Sequence, residues 1–402
     1  MNPNDSPIIL AFSGGLDTSF CVPWLKETYH RPVVTATVNT GGLDTAAADA
    51  LAKRARELGA LDHVLIEGRE DFFNEVLKYL VMGNVRRGQL YPLCVGAERG
   101  IQARHLAEIA KQRGATTVAH GCTAAGNDQV RFEVILKALA PGVEILAPVR
   151  DYSWARQDQV RYLEERNLPA PAKGSAYSIN RGLWGVTIGG TETLTSTQSI
   201  PESAWVLSAD AHTQPRKPIE LTVSFKHGVP TAIDGEPLAP VSLIERLEEI
   251  GSQFGIGRGI HLGDTIIGTK GRVAFEAPAA EILLRAHREL EKLTLSAMQQ
   301  RVKELLGLTY GDLIHEGKQL DPACRDIEAL LASSQQRVTG TVRCLLRPGS
   351  LFVLGTDSPH SLMAASRGKY GESAGEWTPA DALGFATILA LPGMLYTRAR
   401  GD

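Results

Sequence analysis

The chain has 402 residues and a formal net charge of −3, with 43% hydrophobic and 22% charged residues. This composition is typical of a soluble protein with two or three globular domains, and the nearly balanced charge gives no electrostatic basis for binding nucleic acid. The five cysteines, Cys21, Cys94, Cys122, Cys324 and Cys344, lack metal-ligand spacing and favour a reducing compartment over a disulfide scaffold. The sequence shows neither a signal-peptide pattern nor an apolar run approaching the ~20 residues of a membrane helix. We therefore expect a cytoplasmic protein without nucleic-acid or membrane partners.

The first ~150 residues alternate between strand and helix patterns, which is typical of a parallel sheet covered by helices. Strands are predicted at 8–12, 33–38, 63–66, 117–120 and 143–149, and helices at 46–58 and 100–113. Glycine-containing turns follow the strands that begin at Ile8, Val33 and Thr117. Because ligands bind at the carboxyl ends of parallel strands, we expect these turns to share one crevice.

The turn after the first strand carries the most chemical information. It consists of Ser13, Gly14, Gly15, Leu16, Asp17, Thr18 and Ser19, and a helical pattern follows it. Glycines let the backbone approach a ligand closely, and hydroxyls at a helix N-terminus bind anions. The turn lacks the spacing of a Walker A motif and resembles the pyrophosphate loop (PP-loop) of enzymes that cut ATP to AMP and pyrophosphate. The alternative is an ordinary turn in which Asp17 or Thr18 caps the helix.

Beyond residue 170 the pattern changes to mixed α+β. Residues 170–174 are predicted to form a linker, strands are predicted at 221–225, 231–233, 338–346 and 351–354, and amphipathic helices at 241–254 and 279–293. From about residue 376 an apolar helical run extends to a charged tip. This run either docks on the protein's own core or reaches another subunit.

A second polar segment, residues 121–133, follows the strand that begins at Thr117. It reads Gly-Cys-Thr-Ala-Ala-Gly-Asn-Asp-Gln-Val-Arg-Phe-Glu. A loop this rich in polar groups is rarely needed to turn the chain. The alternative is a turn in which Asn127 and Asp128 make local backbone hydrogen bonds.

Together the two motifs resemble those of the argininosuccinate synthase family, which has a Ser-Gly-Gly-Leu-Asp-Thr-Ser loop and a Gly-Asn-Asp-Gln-Val-Arg-Phe-Glu segment. The resemblance continues through 177–180, 255–258, 268–272 and 276–278, and so covers nearly the whole chain. It implies an α/β architecture in three parts: an ATP-binding PP-loop domain of the adenine nucleotide alpha hydrolase type over 1–170, an α+β synthetase domain over 171–375, and a C-terminal helical arm over 376–402. The family usually forms homotetramers through this arm.

The resemblance also implies a reaction. Members of the family join citrulline to aspartate: the ureido oxygen attacks the α-phosphorus of ATP, giving citrullyl-AMP and pyrophosphate, and the aspartate amine then displaces AMP. Adenylation converts a poor leaving group into a good one, so such a site chiefly positions reactants and stabilises phosphate charge. The expected cosubstrate is ATP with Mg²⁺ bound to its phosphates, without metal ligands from the protein.

The resemblance assigns three groups of site residues. The ATP group comprises Ala11, Phe12, Ser13, Gly14, Gly15, Leu16, Asp17, Thr18, Ser19, Val38 and Gly121. The aspartate group comprises Thr123, Asn127 and Asp128, and the citrulline group comprises Tyr91, Asn127, Arg131, Ser178 and Thr187. The residue types suit these roles, because hydroxyls and amides donate to carboxylates, a carboxylate accepts from an ammonium, and an arginine pairs with a carboxylate.

The chain departs from the family pattern around the citrulline group. Gly96 stands where Ser is common, Gly263 where Glu is common, Phe275 where Tyr is common, Ala125 where Lys is common and Asn39 where Asp is common. The loss of a carboxylate at 263 matters most, because a buried substrate ammonium would lack a counter-charge unless Asp264 supplies one.

Because of these departures, a second enzyme function is also possible for this chain. It would use the same adenylation chemistry and aspartate as amine donor, but an acceptor other than citrulline. A tRNA-modifying PP-loop enzyme would share the loop, but it would need a cysteine pair for sulfur transfer and a basic RNA-binding face. The sequence shows neither. The remaining alternative is a non-catalytic binding protein, against which the intact loop and the Asn127–Asp128 pair argue.

Overall fold

The computed structural model describes residues 6–170 and 177–401. Most of the predicted linker, residues 171–174, therefore lies outside the described residues. The N-terminal part contains a five-stranded sheet of order β3-β2-β1-β4-β5, in which all neighbours run parallel. Its strands are β1 Ile8–Ala11, β2 Val33–Asn39, β3 Asp62–Glu67, β4 Thr117–Ala119 and β5 Glu144–Leu146. The predicted parallel α/β sheet is confirmed, and the predicted strand ranges lie within about three residues of the observed ones.

Helices cover both faces of this sheet. The helices of the N-terminal part are α1 Leu16–Tyr29, α2 Thr45–Glu57, α3 Arg69–Phe72, α4 Lys78–Met82, α5 Arg99–Gln112, α6 Asp128–Leu139, α7 Pro148–Asp151 and α8 Arg156–Glu165. Six of them pack on the sheet, whereas α3 and α4 pack into the core of the C-terminal part. Side chains alternate across a strand, so Ile8 and Leu10 pack into a core with Phe20 of α1, whereas Ile9 packs into a second core with Leu106 of α5. Burial on both faces explains why the strands read as unbroken apolar runs.

The C-terminal part contains two antiparallel sheets. The smaller has the order β11-β12-β7-β6, with β6 Ser178–Gly182, β7 Gly185–Gly189, β11 Arg258–Asp264 and β12 Lys270–Glu276. The larger has the order β10-β9-β8-β13-β14, with β8 Ile219–Lys226, β9 Val229–Ile233, β10 Glu236–Pro237, β13 Gly340–Arg347 and β14 Ser350–Asp357. The larger sheet confirms both predicted hairpins. The smaller sheet was not predicted, because its strands are short and glycine-containing and lack a strong apolar alternation.

Four longer helices and one short helix accompany these sheets. They are α9 Pro240–Ser252, α10 Pro278–Thr294, α11 Ala297–His315, α12 Pro322–Ser334 and α13 Leu362–Ala365. The amphipathic helices predicted at 241–254 and 279–293 correspond to α9 and α10. Their buried leucines and isoleucines join the inner face of the larger sheet in one extensive core.

The last helix, α14 Pro379–Ala399, begins with a capping box between Thr378 and Asp381. None of its residues is buried within the chain, and Leu383 and Phe385 are 71% and 66% exposed. The prediction that this helix docks on the protein's own core is therefore wrong. The remaining alternative is an arm that reaches another subunit. The helix is also long and apolar enough, by length and composition alone, to cross a membrane. Our expectation that no segment reaches this length was wrong, because threonine, glycine and proline interrupt the apolar residues without ending the helix.

The smaller antiparallel sheet is fixed directly against the carboxyl edge of the parallel sheet. The backbone N–H of Leu183, between β6 and β7, donates to the carbonyl of Thr40 after β2 (2.8 Å). The buried indole of Trp184 donates to the carbonyl of Pro92 (2.9 Å). These contacts place one face of the smaller sheet opposite the glycine-containing turns.

Candidate active site

A cavity of about 910 Å³ opens where these two sheets meet. One wall consists of the turns after β1, β2 and β4, so the structure confirms the predicted shared crevice. The opposite wall is the face of the smaller sheet that carries Ser178, Asn180, Thr187, His261 and Gly263. Fifteen of the eighteen predicted site residues line the cavity.

The PP-loop presents an uncapped helix N-terminus to the cavity. Gly15 is the N-cap of α1, and no side chain makes a capping hydrogen bond there. The alternative in which Asp17 or Thr18 caps the helix is therefore not observed. Thr18 Oγ1 instead accepts from the backbone N–H of Ser13 (3.3 Å) and donates to the carbonyl of Gly15 (3.3 Å). An uncapped helix N-terminus bearing hydroxyls is suited to binding phosphate.

Three predicted ATP residues support the loop from behind and do not line the cavity: Gly14, Leu16 and Ser19. Gly14 has a φ of +71°, a left-handed conformation that favours glycine, and it is buried against the end of the Leu51 side chain. Ser19 is buried and donates its hydroxyl hydrogen to the carbonyl of Gly14 (3.3 Å). These residues shape the loop from within the core.

The turn after β4 lies directly against the start of α1. A Cβ atom on Gly121 would lie 3.1 Å from the backbone of Asp17 and Thr18. Glycine therefore allows the second motif to approach the PP-loop closely. Ala11, Phe12 and Val38 complete this end of the cavity, so the structure brings together the predicted nucleotide-facing residues.

The second motif places Asp128 between two arginines. Its carboxylate accepts from Arg99 Nε (3.0 Å) and from Arg131 Nη1 (2.7 Å). Burial raises the pKa of the Asp128 carboxyl, but the charges of Arg99 and Arg131 outweigh it and lower the pKa to about 2. Asp128 is therefore ionised at neutral pH and holds two guanidinium groups at the cavity wall. The contribution of Arg99 was missed, because no local pattern links it to the motif.

Asn127 connects the second motif to the opposite wall. Its side-chain oxygen accepts from the backbone N–H of Ile266, in the turn between β11 and β12 (2.9 Å). Thr123 is exposed at the mouth of the cavity. The alternative of purely local hydrogen bonding is thus wrong for Asn127, whose bond spans 139 residues.

Arg131 is buried and its guanidinium is engaged on three sides. Besides Asp128, it donates through Nε to the carbonyl of His315 at the end of α11 (2.7 Å), and Nη2 lies 3.0 Å from His315 Nδ1. Burial and the charge of Arg131 lower the pKa of His315 to about 3, so this imidazole is neutral at pH 7. A Cβ atom on Gly96 would lie 3.2 Å from the guanidinium carbon of Arg131. Glycine at 96 therefore lets the backbone pass close to this guanidinium, which lines the cavity.

Two family models match the chain: the N-terminal HUP domain of arginosuccinate synthase over residues 7–169 and the C-terminal domain over residues 177–396. The argininosuccinate synthase of Xanthomonas campestris is 39% identical over 396 residues, covering 97% of this chain and 98% of that protein. The argininosuccinate synthase of Methanocaldococcus jannaschii is 37% identical over 388 residues, covering 96% and 97%. The enzyme of Dictyoglomus turgidum is 35% identical over 396 residues and 98% of each chain.

The chain belongs to the argininosuccinate synthase family. The recognition made from the two motifs is thereby confirmed, as is the HUP fold of the N-terminal part. The geometry adds that three of the residues by which this chain departs from the argininosuccinate synthase pattern lie at or directly behind the cavity. Gly96 and Gly263 both line the cavity, and Phe275 is buried behind it with its ring edge-on to Tyr91 (5.2 Å between centroids).

Asn39, a further departure from the argininosuccinate synthase pattern, shapes the turn after β2. Its side-chain oxygen accepts from the backbone N–H of Gly41 (3.0 Å), and its amide donates to Glu67 Oε2 (3.0 Å). An aspartate could accept the first bond but could not donate the second. Ala125 is exposed in the second motif, and it is not among the residues that line the cavity.

Glu98 is a cavity residue that sequence reasoning missed. Its Oε1 accepts from Arg99 Nη1 (3.1 Å), whereas its buried Oε2 lacks a hydrogen-bond partner among the described residues. A side chain at Gly182 would overlap Oε2, so glycine makes room for this carboxyl. Burial raises the pKa of Glu98 from 4.5 to about 7, although the charge of Arg99 opposes the shift. Glu98 therefore gains or loses its proton near neutral pH.

We expect Glu98→Gln to remove a pH dependence of stability. When folding raises the pKa of an acid, the protonated acid contributes its full stability at pH values below the pKa of the unfolded state. This contribution is lost as the pH rises through the pKa of the folded state. For Glu98 the loss amounts to about 3 kcal/mol between roughly pH 5 and pH 8. Urea denaturation of both proteins across this range measures the effect. The free energy of unfolding of E98Q relative to wild type should rise with pH, and a constant difference would contradict the assignment.

Proposed function

We propose that this protein joins citrulline and aspartate to give argininosuccinate, with cleavage of ATP to AMP and pyrophosphate through a citrullyl-adenylate. The observation that carries the proposal is one cavity lined by the PP-loop, the Asn127–Asp128 pair and the Tyr91–Arg131 region. This arrangement provides an anion-binding helix end, groups for an amino acid carboxylate and a cation for the acceptor. The family to which the chain belongs carries out this reaction.

In the proposed reaction the protein acts mainly by position and charge. The N-terminus of α1 and the hydroxyls of Ser13 and Thr18 bind the departing pyrophosphate, and Mg²⁺ accompanies the ATP phosphates. Thr123 and Asn127 hold aspartate, whose ammonium approaches Asp128. Arg131 faces the acceptor, together with Tyr91, Ser178 and Thr187. Fixing the reactants in one cavity supplies most of the expected acceleration.

Oxygen-isotope-labelled citrulline tests the proposal. Label in the ureido oxygen should appear in AMP, because that oxygen bonds to the α-phosphorus and leaves with it. Pyrophosphate release without label in AMP would contradict citrulline adenylation. Such a result would favour the second candidate, an enzyme with the same chemistry and another acceptor, which the changed residues around Gly263 support.

Asp17→Ala should lower kcat/KM for ATP by about tenfold or more, since Asp17 stands at the cavity in the first turn of α1. Asp44→Ala is the matched control, because Asp44 does not line the cavity and caps α2 through its bond from Ala47 N–H (2.8 Å). We expect the control to lose about 1 kcal/mol of stability and to retain ATP turnover. Steady-state pyrophosphate release measures both variants. Near-normal turnover by D17A would show that the residue is only structural.

We further propose three domains: residues 1–170 bind ATP, residues 171–375 bind the other substrates and residues 376–402 form an arm.

The exposed apolar surface of α14 supports a homotetramer in which these arms contact other subunits. The molecular mass by light scattering, for the full chain and for a chain ending at Glu376, tests this. A cytoplasmic location is the natural proposal for such an enzyme, and the same truncation separates an oligomeric arm from a membrane anchor.

A further inference from the structure

The aromatic rings of Tyr91 and His261 form the part of the cavity wall beside Gly263, which we call the ring wall. A Cβ atom on Gly263 would lie 2.5 Å from His261 Nε2, and the three atoms nearest to it all belong to the His261 ring. This imidazole stacks on Tyr91, with 5.4 Å between centroids and 16° between planes. Burial and the charge of Arg87 lower the pKa of His261, which favours the neutral ring. The space that a side chain at 263 would occupy is therefore filled by an uncharged aromatic surface.

Two arginines flank this wall, and only one of them, Arg131, is paired closely with a partly buried carboxylate, that of Asp128. Arg87 and Arg131 line the same part of the cavity, and both act electrostatically on His315. The only carboxylate within salt-bridge distance of Arg87 among the described residues is Asp312, at 3.8 Å and largely exposed. Cations placed here attract a carboxylate and repel an ammonium group.

Most carboxylate oxygens that line the cavity near this wall already have a partner or a role. Both oxygens of Asp128 accept from arginines, and this residue is assigned to the aspartate ammonium. Glu98 accepts from Arg99 through Oε1, and its Oε2 lies in the space left by Gly182. Asp264 follows Gly263 on β11, but its carboxylate pairs with Lys270 across the strand pair, and both side chains are exposed. The residues that form the wall, Tyr91, His261 and Gly263, bring no carboxylate of their own to it. A substrate ammonium placed here would lack a counter-charge.

We infer that the acceptor site recognises the ureido group and the carboxylate of its substrate but not an α-ammonium group. The protein therefore takes ureido carboxylates that lack the amino group at least as readily as citrulline. This inference rests on the proposed function and widens its acceptor class. The steps are unchanged: the ureido oxygen bonds to the α-phosphorus as pyrophosphate leaves, the aspartate amine bonds to the ureido carbon as AMP leaves, and the amine gives up protons to yield a guanidino product.

A comparison of citrulline with 5-ureidopentanoate as acceptors tests this inference, because the two compounds differ only by the α-amino group. AMP formation is measured with the full-length enzyme, ATP, Mg²⁺ and aspartate. A site with a dedicated carboxylate would lose about ten- to a hundredfold in kcat/KM when the ammonium is deleted. We expect instead an equal or higher kcat/KM for 5-ureidopentanoate. A preference for citrulline of about tenfold or more would overturn the inference and leave the proposed function intact. Failure of both compounds to give AMP would overturn the proposed function and the inference with it.

Three variants identify the residues responsible. H261A/G263E opens the space held by the imidazole and places a carboxylate there, so it should shift the ratio of kcat/KM values towards citrulline by about tenfold. H261A alone opens the space without the charge and should leave the ratio within about threefold of wild type. D264N tests the competing source of charge. A selective loss of citrulline turnover in D264N would show that Asp264 binds the ammonium and would overturn the inference.

Discussion

Asp128→Asn is expected to abolish the response to aspartate while leaving some formation of the adenylate. The substitution keeps the shape of the side chain but removes the charge that holds Arg99 Nε and Arg131 Nη1. The side chains of both arginines are largely buried, with 12% and 7% exposure, so two cations would be left without their shared partner. The aspartate ammonium would also lose its acceptor. We expect kcat/KM for aspartate to fall by about a hundredfold or more and stability to fall by a few kcal/mol.

Single-turnover pyrophosphate release without aspartate, followed by steady-state release with aspartate, separates the two steps in D128N. Asp158→Asn is the matched control, because Asp158 pairs with Arg161 in the same i,i+3 relation on α8 (2.8 Å) but is exposed. An exposed pair contributes little, so D158N should change both readouts only slightly. An unchanged aspartate dependence in D128N would contradict its place in the amine-donor site.

The nucleotide-binding half of the site can be predicted from the sequence almost completely. The PP-loop and the strands β1, β2 and β4 follow from local patterns, because a buried strand, a glycine turn and a helix start each leave a signature within a few residues. Such signatures are enough to predict that Asp17 and Gly121 meet at one crevice. The sequence also showed where the chain departs from the family, at Gly96 and Gly263.

The acceptor half of the site could not be predicted, since contacts distant in sequence decide it. Arg131 meets His315 across 184 residues. His261 fills the space beside Gly263 because positions 261 and 263 lie on the same face of β11. Glu98 becomes a carboxyl with a pKa near 7 only because Gly182 and the surrounding chain bury it. Neither the amino-acid composition nor the hydrophobic periodicity of the sequence indicates these contacts. The smaller sheet that carries much of this wall was itself missed.

Gly41→Ala is expected to disrupt the cavity at the junction of the two sheets. Gly41 has a φ of +115°, and a Cβ atom there would overlap the backbone nitrogen of Leu183 and lie 2.5 Å from its Cα. The same short segment carries the hydrogen bond from Leu183 N–H to the carbonyl of Thr40. Because the obstacle is backbone, no side-chain rotation relieves it, and the smaller sheet must move away from the turn after β2. We expect a loss of at least about 3 kcal/mol of stability and of about tenfold or more in kcat/KM.

Gly114→Ala separates backbone strain from this contact. Gly114 also has a positive φ, +62°, but a Cβ atom there would meet no atom within 4 Å. Its substitution should cost only the strain of the left-handed conformation, about 1 kcal/mol, and leave catalysis unchanged. Chemical denaturation and steady-state kinetics of both variants measure the difference. Equal losses of stability would show that the contact with Leu183 contributes nothing beyond strain. A stability deficit confined to G41A, together with a raised KM for the acceptor, would show that this junction holds the ring wall against the nucleotide site.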